Sequence, residues 1–140
     1  MWPFTRKSAE PDITAEYLRL ADEGRFAEGL PLLLQIVDRA PQISTSWFNL
    51  GVCYSELGQF AEAAPAFLRA YNLAPEDGGA LLRACLAYVD AGDAPGLLKV
   101  FETECARDPS MLQLFLEEPS FRPFFKTSSF RQLRTRFQAS

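Results

Sequence analysis

Glycine and proline recur in one phase through most of this chain, and that phase restricts the fold more than any other feature. Gly24, Gly58 and Gly92 are 34 residues apart, and so are Pro41, Pro75 and Pro109. Glycine ends helices by adopting left-handed backbone and proline by lacking an amide hydrogen, so each period should hold two helices separated by breaks. The second period shows the helical spacing most clearly. Trp47, Leu50, Gly51 and Tyr54 recur at i, i+3, i+4, i+7, and Ala63, Phe67 and Ala70 at i, i+4, i+7. Gly51 and Ala63 leave room for two backbones to approach, while Trp47, Tyr54 and Phe67 fill the space beside them. One helical hairpin cannot bury such a face alone, so its neighbours must repeat it.

The stretch from Trp47 to Pro75 resembles the tetratricopeptide repeat, with Trp47, Leu50, Gly51, Tyr54, Ala63, Phe67 and Pro75 at the signature places. The resemblance implies an all-α superhelix: a solenoid of three helix-turn-helix repeats, over 10–43, 44–77 and 78–109, followed by capping helices over 110–140. Residues 1–9 are expected to form a flexible segment. The first repeat lacks the signature Trp and has Gly29 where the second has Ala63, so its membership rests on phase. The third carries Leu81, Cys85, Tyr88, Leu97 and Phe101 on its stripe. Pro31 and Pro65 fall near the start of the second helices, which should continue past them with a tightened first turn. Asp93 is expected to cap the helix that has Pro95 in its first turn.

After Pro109 the pattern is expected to stop, with Met111 to Leu116 forming a short helix against the third hairpin. The run that follows resembles the closing motif found after the last repeat in some bacterial repeat proteins, carried here by Pro119, Phe121, Pro123, Phe124, Ser128, Phe130 and Leu133. Ser128 or Ser129 is the expected cap of a final helix from about Phe130 to Phe137.

Composition narrows the function. The 140 residues include no histidine, which removes the commonest general base and metal ligand. Cys53, Cys85 and Cys105 form no C-x-x-C pair and are expected to be small buried apolar groups. Acidic neighbours such as Asp22 and Glu23, or Glu117 and Glu118, sit side by side with no convergent nucleophile or base and no glycine-rich phosphate loop. A non-enzyme without cofactors is the expectation. No apolar run is long enough to span a bilayer and no signal-peptide pattern precedes the first helix, so a cytoplasmic protein without membrane insertion is expected. Residues 119–140 hold five basic and no acidic side chains, whereas 1–118 hold nine basic and 18 acidic. That acidic body argues against nucleic acid as a partner.

The resemblance further implies that the first helix of each hairpin lines a concave groove. Side chains off the packing stripe should face it: Thr14, Leu18 and Asp22; Phe48, Asn49, Val52 and Glu56; Leu82, Arg83, Leu86 and Asp90. Read across the period, Leu18, Val52 and Leu86 make an apolar row, and Asp22, Glu56 and Asp90 an acidic one. Such a surface suits a protein or peptide partner with apolar anchors and basic residues, held by an adaptor or chaperone-like module. A carboxylate clamp of the kind some family members use is not expected: Asn49 and Arg83 fit two of its places, but Thr14, Leu18 and Gly79 cannot supply the rest. The alternatives are coverage of the groove by the chain's own termini, a homodimer formed through Trp2, Phe4 or an open end of the stack, and an escort for a secreted protein.

Overall fold

In the computed structural model, which describes residues 12–138, every glycine and proline break expected in the repeats falls at a helix boundary. The helices are α1 (Ile13–Asp22), α2 (Phe26–Arg39), α3 (Ser44–Glu56), α4 (Phe60–Leu73), α5 (Gly78–Asp90), α6 (Ala94–Arg107), α7 (Met111–Glu117) and α8 (Ser128–Gln138), with a 3-10 turn over Pro119–Phe124. No strand occurs among the described residues. Consecutive helices from α1 to α7 pack on one another, which makes an all-α superhelical stack. The flexible segment expected over 1–9 lies outside the described residues.

The three hairpin turns share one geometry. Gly24, Gly58 and Gly92 have φ of 74, 73 and 70°. The residue after each glycine donates its amide five residues back, Arg25 to Leu20 and Gln59 to Tyr54 at 2.8 Å and Asp93 to Tyr88 at 2.9 Å, while the glycine amide reaches three back. This paired closure satisfies carbonyls that a helix end otherwise leaves open, and its left-handed residue is nearly always glycine. Helix starts are secured by carboxylates: Asp12 accepts from the Ala15 amide at 3.1 Å, Asp77 from Gly79 at 3.1 Å and Asp93 from Gly96 at 2.9 Å. Pro31 and Pro65 stay exposed inside α2 and α4, and both helices continue through them.

Between α3 and α4 the backbones approach closely. A Cβ on Gly51 would lie 2.6 Å from the Phe67 ring. Ala63, Ala64, Ala84 and Ala87 complete this region with Phe67, all buried. The signature Trp47 donates its indole N–H to the Pro41 carbonyl at 2.8 Å, tying the second hairpin to the loop before it. Cys53, Cys85 and Cys105 are free and fully buried, as expected. Burial, helped by the Glu104 carboxylate, pushes the Cys85 thiol up to about 12 and the Cys105 thiol up to about 11. Glu104 is itself buried, at 3% exposure, and accepts the Tyr71 hydroxyl at 2.7 Å.

Past Pro109 the expectation needs correction. The signature residues do stop, but the period does not: α2, α4, α6 and α8 begin at Phe26, Phe60, Ala94 and Ser128, each 34 residues after the last. Thus α7 takes the place of a fourth first helix. The 3-10 turn replaces that helix's second half, because Pro119 and Pro123 cannot donate to it. Phenylalanines fill the layer so formed. The Phe101 ring lies 4.2 Å from Phe115, 5.1 Å from Phe121 and 5.9 Å from Phe130. The cap of α8 is neither serine but Thr127, whose hydroxyl accepts from the Phe130 amide at 3.3 Å and donates to the Phe124 carbonyl at 2.7 Å.

Candidate functional site

First and second helices of the hairpins form separate layers. Arg83 of α5 lies over the Phe48 ring of α3 at 5.4 Å, so these first helices present adjoining faces. In the other layer Arg136 of α8 pairs with Glu102 of α6 at 2.9 Å.

None of the eleven side chains expected to face the groove is buried. Thr14, Asp22, Glu56, Arg83 and Asp90 are exposed, Leu18 is 54% and Leu82 41% exposed, and Phe48, Asn49, Val52 and Leu86 are half-buried. The structure joins some of them directly. Phe48 meets Phe67 edge-on at 5.4 Å on one side and Arg83 on the other. A small recess of about 140 Å³ opens beside Phe48, between Thr45 and Ala74.

The apolar row is unevenly covered. Leu18 joins none of the core clusters of the described residues, Val52 leans on the Phe67 and Ala84 cluster, and Leu86 packs against the cluster that contains Phe121. The 3-10 turn rests against α5, so the closing layer occupies part of that helix's surface. The row therefore grades from open to partly filled toward the C-terminal end. A further position was missed in the sequence: Leu116 of α7 stands 34 residues after Leu82, as Leu82 stands after Phe48, and is half-buried. Its spacing was visible, but the expectation that the period ended at Pro109 hid it.

Three carboxylates of the first hairpin are held by arginines, and those of the acidic row are not. Glu16, Glu23 and Glu28 are bound by Arg19 and Arg25, with Arg19 2.7 Å from Glu16 and 2.9 Å from Glu23, and Arg25 in contact with Glu28 and Glu23. Hydrogen bonding from Arg19 holds Glu16 below the usual carboxylate range, and Arg25 does the same for Glu23 and Glu28. Asp22, Glu56 and Asp90 pair with no basic side chain among the described residues. They are solvated charges in reach of an incoming cation.

No group of His, Cys, Asp or Glu among the described residues could hold a metal ion. No described helix is long and apolar enough to cross a membrane. Trp2 and Phe4, expected to offer a self-association surface, lie outside the described residues.

Residues 15–80 match the family model described as the tetratricopeptide repeat. No curated protein matches the chain. The matched region runs from α1 to the first turn of α5 and contains both the tight α3–α4 contact and the first two left-handed turns. Repeats of this family are non-catalytic and generally mediate protein–protein interaction. The phase of the turns, the stacked hairpins and this match over residues 15–80 together fit a tetratricopeptide repeat protein.

Proposed function

We propose that the chain is a cytoplasmic, non-catalytic adaptor that holds a segment of another protein across the face shared by α1, α3 and α5. The reading takes the repeats to span 10–43, 44–77 and 78–109, with a closing unit over 110–140. Leu18, Phe48, Val52, Leu82 and Leu86 receive apolar anchors, and Asp22, Glu56 and Asp90 receive lysine or arginine. What carries this reading is the row itself: Asp22, Glu56 and Asp90 recur one period apart beside the apolar row, all exposed and with no ion pair among the described residues. Unpaired charges cost little in water and favour a cation when the neighbouring apolar surface is covered.

The test is titration of the full chain with a labelled peptide that sets leucines among lysines. Leu18→Arg and Glu56→Lys both change exposed side chains and should leave the thermal transition in place. Each should weaken binding by about tenfold or more. Equal affinity for wild type and both variants would remove this face from contention.

A further inference from the structure

We propose a second docking surface on the other layer, along the seam between α6 and α8, for a partner segment with an aromatic or aliphatic anchor set among aspartate and glutamate. It does not depend on the reading of the first face.

The seam owes its shape to a substitution within the period. On α6, Gly96 lets the Tyr88 ring of α5 approach so closely that a Cβ there would lie 2.6 Å from it. One period later Phe130 stands at that place and Arg122 stands where Tyr88 was. The Phe130 ring turns into the core against Phe101 and Phe125, with centroids at 5.9 and 4.8 Å. Leu98, whose counterpart Ala64 is fully buried one period earlier, is left half-buried. The result is a recess of about 250 Å³ lined by Pro95, Leu98, Phe101, Phe124 and Phe130. At Leu98 and Ser129 it continues into a second recess of about 240 Å³, which ends at Glu102 and Arg136.

The first recess is almost wholly apolar and smaller than the roughly 300–1,000 Å³ of sites that enclose a small-molecule ligand. It suits one or two anchoring side chains of a longer segment. Charge selects the rest of that segment. Arg122, Lys126, Arg131 and Arg134 are exposed and pair with no carboxylate among the described residues. Most other arginines are engaged: Arg19, Arg25 and Arg107 with carboxylates, Arg69 and Arg83 over the Trp47 and Phe48 rings. No acidic residue follows Glu118 in the sequence, so α8 itself carries only basic charge. A basic segment would be repelled here and an acidic one attracted. The exposed Glu102–Arg136 pair can exchange its carboxylate for an incoming one at little cost.

The probe is a short fluorescein-labelled peptide with Phe and Leu among Glu residues, titrated into the full chain by fluorescence anisotropy. Binding is expected to weaken with added salt, to fall about tenfold or more with Leu98→Asp, and to fall with the surface pair Lys126→Glu and Arg131→Glu, whose melting curves should match the wild type. Leu18→Arg should change nothing. The proposal is overturned if the peptide does not bind, if replacing its Phe and Leu by Ser leaves affinity intact, or if the Lys126 and Arg131 variant binds as tightly as wild type. It is equally overturned if Leu18→Arg abolishes binding, or if light scattering shows that a second copy of the chain already fills the seam.

Discussion

The middle hairpin and the closing layer follow one 34-residue period and yet are held together by opposite means. In α3 and α4, Gly51 lets the two backbones approach, and the Phe67 ring fills the space against it beside the buried Ala63 and Ala64. Around α7 and α8 no small residue plays that part. Phe101, Phe115, Phe121 and Phe130 hold the elements apart and fill the space between them, all at 5% exposure or less. Each ring buries about 150–250 Å², far more than an alanine contributes. The middle thus tolerates no added atom, and the closing layer tolerates no lost one.

The largest effect should come from removing a ring. Phe101→Ala deletes the side chain that touches Phe115, Phe121 and Phe130 together, and should cost about 3–5 kcal/mol in denaturant unfolding. Because stacked units contact only their neighbours, amide exchange should rise in α7 and α8 before it rises in α3 and α4. Simultaneous loss of protection in both regions would show that they are not separate. The complementary change adds an atom. Gly51→Ala places a Cβ within 2.6 Å of the Phe67 ring and should cost about 1–3 kcal/mol, with exchange rising first in α3 and α4. A smaller effect is expected at the turn between them, where Gly58→Ala meets open space but must hold φ near 73°, at a cost of about 1 kcal/mol.

These differences decide what the sequence could reveal. Gly24, Gly58 and Gly92 announced their turns because few other residues adopt that backbone, and Trp47 and Phe67 were legible because close packing leaves little freedom of type. Phe130 and Leu133 follow looser rules, since rings can fill a space in several ways. The fourth pair of helices kept its phase without keeping any signature residue and so read as an end. Thr127 was passed over as a cap because Ser128 and Ser129 satisfied the same local rule, and only the course of the 3-10 turn separates them. On the candidate face Thr14, Leu18, Asp22, Glu56, Leu82, Arg83 and Asp90 are exposed, while Phe48, Asn49, Val52 and Leu86 are half-buried. Their uneven coverage was not legible, because it depends on where Phe121 and the 3-10 turn come to rest against α5. The α6–α8 seam was missed for a similar reason: it arises from a ring turning inward, which helical spacing does not encode.

The cysteines offer the smallest and most local comparison, since one reports on each region. Cys53 belongs to α3 and donates its thiol to the Phe26 carbonyl at 3.3 Å, whereas Cys105 of α6 lies in the cluster that contains the closing phenylalanines. Both are fully buried and should resist a thiol reagent in the native protein. After Phe101→Ala, Cys105 should label sooner while Cys53 stays slow; after Gly51→Ala the order should reverse. Equal labelling rates in both variants would mean that opening is global and that the two means of packing have no separate consequences. The same burial sets a pH dependence. An unfolded thiol releases its proton near 9, but Cys105 holds it to about 11 and Cys85 to about 12, so between these values the folded chain binds more protons than the unfolded one. Raising the pH therefore favours the unfolded chain. The thiols' contribution to stability is complete below about 9 and is lost progressively toward 11 and 12. Denaturant midpoints measured across that range should fall more steeply for wild type than for Cys85→Ala with Cys105→Ala, and parallel curves would show that burial of these thiols does not govern the slope.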